Sequence, residues 1–420
     1  METTKTTVLH DFHCQQGANM ASFGNYDMPL WYKSGTKAEH LAVIDSAGIF
    51  DTSHMAVVTV KGNGARALLQ YALTKDIDSC IGINKTPLTE GRCVYGLFLD
   101  NDGLVIDDAI VYCLGDESYM VVVNAGMGGD IAVHLKALAG SGAVVIEDLT
   151  DRVGKMDIQG PNSAKVLKKI VKDPKSLFEK LMYFSFKGGF GSCISSSTVE
   201  LKDGTKVLVS RTGYTGEFGF ELFVEIGALV PLWNQILEAG KEFSVIPCGL
   251  AARDSLRAGA VLPLSHQDIG HWPFANTPWS FALADRDEAG NFTKDFHGAK
   301  ALLKSTWTRH TLAFAGFDPR KIGAEEANYV ADSEGRKIGK ILTCTTDMAI
   351  GRVDGEILSI AGNKELKVKG LCCGFVLLDV ARQPGETVFL TDGKRKIEVE
   401  IRADVRPQRT ARAPIGTMVD

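Results

Sequence analysis

The spacing of apolar residues changes repeatedly along this chain, and each change marks a predicted element. Residues 8–60 mix helix-like and loop-like text and end in the turn-rich Asp51-Thr52-Ser53-His54-Met55. The next six residues, Ala56 to Lys61, are β-branched and strand-like. They run into 62–73, where Ala65, Leu68, Leu69 and Ala72 recur at helical spacing. Strand-like stretches follow at 93–99, 104–112 and 118–124, and Asn101-Asp102-Gly103 between the first two is a hairpin signal. A helix over 128–138, strands over 143–147 and 155–159, and a helix over 162–171 come next. Hairpins interleaved with helices, rather than regular strand–helix–strand units, predict an α+β fold.

The character changes around 303–311. From there the text is short strands and turns, at 337–342, 356–360, 366–369, 374–378, 387–390 and 396–402. The last of these alternates polar and apolar with period two after an Asp392-Gly393 turn. This pattern predicts a separate small β domain over 303–420, a sandwich or a barrel.

Composition narrows the picture. A length of 420 residues accommodates roughly two to three domains at about 150 residues each. With 45% hydrophobic and 23% charged residues, disorder, collagen and coiled-coil classes are excluded. A net charge of −5 gives no overall attraction to nucleic acid or an anionic membrane. The opening residues lack a secretory pattern, and the longest apolar stretches, near 119–123 and 371–378, fall far below the ~18 residues of a membrane span. Nine scattered cysteines without a C-x-x-C read as reduced thiols, so a cytoplasmic location is expected.

Several motifs carry little. Gly62-Asn63-Gly64-Ala65-Arg66-Ala67 formally matches a dinucleotide fingerprint, but the turn-like 82–88 supplies no acid for the ribose. His266, Asp268 and His271, or His10, His13 and Cys14, lack a fixed metal-ligand spacing, and no metal site is predicted. There is no nucleophile elbow and no phosphate loop.

Three segments are more informative. In 104–112 the adjacent acids Asp107 and Asp108 interrupt an apolar strand, so at least one points inward, where a carboxylate is costly unless paired or used. In 210–222, three glycines within seven residues flank Tyr214, and Glu221 then sits between Phe220 and Leu222. In 248–257 a helix begins with Arg253 in its early turns and Asp254 and Arg257 at i, i+3.

Together with Leu9-His10-Asp11-Phe12-His13, Gly48 to Met55, Val122-Val123-Asn124-Ala125, Ile158-Gln159-Gly160-Pro161 and Asp295-Phe296-His297-Gly298, these segments resemble the aminomethyltransferase family of the glycine cleavage system and its tetrahydrofolate-dependent demethylase relatives. The resemblance spans about 9–302 in order. It implies a three-domain cloverleaf around a central channel for tetrahydrofolate. The two folate-binding domains would intertwine, roughly 1–55 with 145–250 and 56–144 with 251–302.

Carried over position by position, Asp108 matches the acid beside the pterin's reacting nitrogen, and Met55, Tyr95, Asn124, Tyr214, Glu221 and Arg253 match the folate-contacting set. Glu221 suits the adjacent N–H donors of a pterin edge, and Arg253 suits either the ligand's carboxylate or Glu221. The implied reaction moves an aminomethyl carbon from the lipoyl arm of a carrier protein to tetrahydrofolate and releases ammonia. The alternatives are transfer from a small methylated amine, sulfonium or aryl ether, or a non-catalytic folate-binding role in iron–sulfur maintenance. The last is opposed by the lack of that branch's Lys-Gly-Cys-Tyr-type motif.

The departures are local. Where relatives carry Arg-Leu-Glu-Ala-Gly and then Tyr-Gly, this chain has Arg257-Ala258-Gly259-Ala260-Val261 and then Ser265-His266. A carboxylate and an aromatic are thereby expected to be missing near the channel. The loop 271–279 is unusually aromatic, and residues near 354–370 read as an insertion.

Overall fold

The computed structural model describes residues 4–140 and 142–419. A six-stranded sheet runs in the order Phe186–Gly188, Leu208–Ser210, Gly219–Glu225, Val153–Gln159, Gly48–Asp51, Ile246–Pro247. One face of its two central strands presents Met156, Ile158, Phe220, Leu222 and Val224 to helices Ser163–Ile170 and Leu229–Gly240, around the buried Trp233. The other face carries Lys155, Asp157 and Glu221, a polar set that the period of two puts together.

A five-stranded antiparallel sheet has the order Cys93–Leu99, Val105–Gly115, Ser118–Val123, Ala56–Lys61, Val145–Asp148. Helices Ala65–Ala72 and Gly128–Ala139 cover one side of it. On the other side, Tyr112, Met120 and Val122 pack against Phe186, Phe190 and Phe223, so the two sheets share a core. Ala56–Lys61 pairs antiparallel with both neighbours, which removes the parallel unit a dinucleotide fingerprint requires. Gly64, at φ +96, serves only as the left-handed start of the following helix.

The C-terminal strands close into a six-stranded barrel, His310–Gly316, Leu371–Leu378, Lys337–Asp347, Tyr329–Ala331, Thr387–Thr391, Lys396–Ile401, and back to the first. A barrel rather than a sandwich removes all free edges. The stretch 366–369 forms no strand and follows a separate two-stranded hairpin, Ile350–Val353 with Glu356–Ser359. His310–Gly316, whose apolar run Leu312 to Ala315 is a strand signal, and the three-residue Tyr329–Ala331 complete the barrel beyond the predicted strands. The aromatic loop is packing material: Phe274 and Trp279 are buried where the five-stranded sheet meets the barrel, and the Trp279 ring lies 5.1 Å from Phe375.

Candidate active site

Strand alternation sends the two acids of Val105–Gly115 to opposite faces, and both are engaged. Asp107 is fully buried and accepts from the Asn124 backbone N–H at 3.0 Å, Asn124 Nδ2 at 2.7 Å and Ser265 Oγ at 2.7 Å. Asp108 lies on the same face as Tyr112, half-buried, and accepts from Tyr95 Oη at 2.8 Å and from the same Asn124 Nδ2 at 2.5 Å. Burial and the neighbouring Asp107 charge push the Asp108 carboxyl up to about 7. An acid poised there can hold or accept a proton near neutral pH.

Opposite this pair stands the polar face of the six-stranded sheet. Asp157 and Glu221 are direct cross-strand partners, an arrangement of like charges that would be repulsive alone. Lys155 Nζ resolves it, lying 2.9 Å from Asp157 and 2.6 Å from Glu221. Glu221 also accepts from Tyr112 Oη at 3.2 Å and from Thr212 Oγ1. Arg253, on helix Leu250–Gly259, gives Nη1 to Asp157 at 2.5 Å, not to Glu221, and its guanidinium lies 5.0 Å from the Tyr214 ring. Burial pushes the Asp157 carboxyl up, but the Lys155 and Arg253 charges outweigh it and hold the group at about 2.

A folded value below the unfolded one stabilises the protein above pH 4, and that share is lost as pH falls toward 2. At ~1.4 kcal/mol per pKa unit it amounts to about 2 kcal/mol. Guanidinium midpoints of wild type should therefore fall more steeply between pH 4 and 2 than those of Asp157→Asn, and parallel slopes would contradict this.

The glycines of the 210–222 loop answer to a residue of this chain. A Cβ on Gly213 or Gly219 would meet the Gln159 amide at 2.3 or 2.5 Å. Gln159 in turn ties the loop down through Phe220 O and Thr215 Oγ1. The loop thereby presents Tyr214, half-buried, whose hydroxyl donates to Pro263 O. Met55, also half-buried, packs against the core that the two sheets share. The structure thus brings Tyr95, Asp108 and Asn124 into direct contact, and places Tyr214 close enough to feel the Asp108 charge.

Several features lay outside the sequence reading. Lys155 and Asp157 went unnoticed, although Lys155, Asp157 and Gln159 alternating with Met156 and Ile158 in a central strand were a usable signal. The carboxylate expected to be missing at Gly259 is present in space. A Cβ there would meet Asp347 Oδ2 at 1.8 Å, so Asp347 of the barrel fills the position and binds Arg406 at 2.6 Å. The candidate metal residues have other partners: Asp268 is committed to Arg257 and Thr343, His271 lies 3.7 Å from Asp100, His13 sits between Asp51 and Tyr32, and His10, 3.9 Å from Cys14, pairs with Asp27 at 2.9 Å.

Two sheets that share a core, a C-terminal barrel, and a carboxyl of near-neutral proton affinity between Tyr95 and Asn124 define an α+β protein with an interior group suited to acid–base chemistry. The family description "GCVT N-terminal domain" matches residues 9–272. The chain is 33% identical to an aminomethyltransferase of Chloroherpeton thalassium, covering 84% of this chain and 89% of that protein. It is 31% identical to an aminomethyltransferase of Bacillus subtilis, with 86% and 92% covered. The crystal structure of glycine cleavage system aminomethyltransferase T from Bartonella henselae superposes with a TM-score of 0.74 at 27% identity, over 95% of this chain and 97% of that one. The chain belongs to the GCVT family of aminomethyltransferases. No helix among the described residues is long and apolar enough to cross a membrane.

Proposed function

We propose that this chain transfers the carbon of an aminomethyl group from a lipoyl-bearing carrier protein to tetrahydrofolate: the donor's C–N and C–S bonds break, releasing ammonia and the reduced lipoyl thiol, and two bonds to folate nitrogens form, leaving 5,10-methylenetetrahydrofolate. Family membership supports the reaction, and the observation that carries it in this chain is Asp108, half-buried between Tyr95 and Asn124 with its proton affinity raised to about 7. The folate supplies the nitrogen nucleophiles that take the carbon. Asp108 holds the proton leaving the attacking nitrogen and offsets positive charge on the carbon in transit. Tyr95, Tyr214 and Met55 pack the faces of the heterocycle, and enclosure excludes water that would hydrolyse the activated carbon.

The donor set fits such a ligand. Glu221 accepts three hydrogen bonds and keeps one lone-pair site for a ring N–H. Among the described residues, Arg253 makes one side-chain hydrogen bond, leaving its other donors for a ligand oxygen. The side-chain carbonyl of Asn124 stays available as an acceptor, since its hydrogen bonds to the two acids come from Nδ2. The same reading divides the chain into 1–55 with 145–250, 56–144 with 251–302, and 303–420. The six-stranded sheet, the five-stranded sheet and the barrel support three such units, but Val145–Asp148 pairs with Ala56–Lys61 in the second sheet, so the bound at 145 is corrected to fall after Asp148.

The decisive assay supplies tetrahydrofolate with either an aminomethyl-loaded lipoyl carrier protein or small methylated amines, sulfoniums and aryl ethers. Ammonia and methylenetetrahydrofolate with the carrier are expected; product from a methylated compound alone would replace this reading with demethylation. Glu221→Gln should weaken tetrahydrofolate binding about 10- to 100-fold by calorimetry, the worth of one charge-assisted hydrogen bond. Unchanged affinity would remove Glu221 from the site.

A further inference from the structure

Ser265 and His266 are adjacent in the chain, and both side chains reach Asp107. Ser265 Oγ donates to Asp107 Oδ1 at 2.7 Å, and His266 Nε2 lies 3.4 Å from the same oxygen. The His266 side chain is 50% exposed and Asp107 is fully enclosed, so the imidazole bridges a buried carboxylate and solvent. It does so from a left-handed backbone, φ +62, a conformation a non-glycine residue adopts at a cost.

The two acids are unequal. Asp107 accepts two donors from Asn124, one from Ser265, and faces His266, whereas Asp108 accepts one from Tyr95 and one from Asn124. Adjacent carboxylates cannot both ionise cheaply, so the donors decide which does. We propose that His266 is a positioning residue for the transfer reaction, acting through Asp107: its cation anchors Asp107 as the standing anion of the pair and leaves Asp108 as the member that exchanges a proton with the substrate nitrogen. The proposal rests on the reading of Asp108 given above.

The charged and titratable groups around the imidazole agree with this assignment. From strand Val105–Gly115 it faces Asp107 and feels Asp108, and both favour its cation. On its own turn Asp268 is spent on Arg257 and Thr343. The glycine-rich loop brings the neutral Tyr214 phenol toward Asp108. Among the described residues no Lys or Arg nitrogen pairs with Asp107, so His266 is its sole cationic neighbour there.

Removing this cation makes Asp108 harder to ionise, so the acidic limb of the pH–rate profile moves to higher pH. His266→Gly suits φ +62 and should fold at least as well as wild type; His266→Asn, also tolerant of that region, is the second probe. With both, the limb is expected to rise by about 0.5 to 1 unit, with kcat at pH 7 about two- to fivefold lower, recovery at pH 9 and an unchanged KM for tetrahydrofolate. His266→Lys, which keeps the cation, should keep the wild-type limb. A limb that does not move in the Gly and Asn variants, or a change in melting temperature alone, overturns the proposal.

A second readout needs no activity. In the ligand-free protein the His266 NMR titration midpoint should fall in Asp107→Asn, and an unmoved midpoint also overturns the pairing. Coupling seen by NMR in a wild-type protein that shows no folate-dependent turnover would sink the functional reading, and the positioning role with it, while the Asp107–His266 contact stands.

Discussion

Asp108→Asn should lower kcat by about 10²- to 10⁴-fold, the range of a lost general acid–base group, with tetrahydrofolate affinity within about threefold of wild type. The amide is isosteric: its oxygen still accepts from Asn124, and its NH2 donates to the Tyr95 hydroxyl in place of the bond Asp108 accepts. What disappears is the proton acceptor and its charge. The variant should also be no less stable above neutral pH. Because the folded carboxyl is raised to about 7, its contribution is present below the unfolded value and is lost as pH rises through 7, so the ionised acid strains the wild-type fold in its working state. Single-turnover ammonia release and calorimetry of folate binding test both halves, and wild-type turnover in the variant would exclude Asp108 from the chemistry.

The largest loss of stability is expected from Arg406→Met, at about 3–5 kcal/mol. Arg406 is fully buried and ties four parts of the chain together: Nη1 holds Asp347 of the barrel at 2.6 Å, Nε lies 3.2 Å from Glu217 of the glycine-rich loop, and Nη2 donates to Thr215 O and Leu256 O. Asp347 also faces His40 Nε2 at 3.0 Å. Burial pushes the Asp347 carboxyl up, yet the Arg406 charge holds it well below the usual range, so this share of stability is present above pH 4 and lost in acid. Without the guanidinium, two buried carboxylates stay behind without their cation, and the tail around Thr410, anchored on Glu217, loosens. Against a typical total of about 5–15 kcal/mol such a loss is large. A guanidinium midpoint at pH 7 equivalent to under 1 kcal/mol of change would refute this account.

Local elements were legible because their causes are local. Ala56–Lys61, Cys93–Leu99 and Ser118–Val123 are β-branched or apolar enough to read at sight, and Ala65–Ala72 shows its face at helical spacing. Asp108 and Glu221 could be singled out because an acid inside an apolar strand is expensive and so demands an explanation. The stretch 366–369 misled, since alternation without a neighbouring strand has no ladder to join. Lys155 escaped because a lysine beside a glycine reads as surface, and only the register Asp157 opposite Glu221 explains why a cation must be buried there.

By itself the sequence determined the period of each element, the α+β class, the β-rich C-terminus and the interior acids, all consequences of neighbours within a few residues. Tertiary structure decided what those acids touch. Asp107 and Ser265 are 158 positions apart, Lys155 and Glu221 are 66, and Asp347 and Arg406 are 59. Such pairings depend on how sheets stack and which strand closes the barrel. The field at each carboxylate, and therefore which one keeps its proton, exists only after chain segments distant in sequence have been packed into one dry interior.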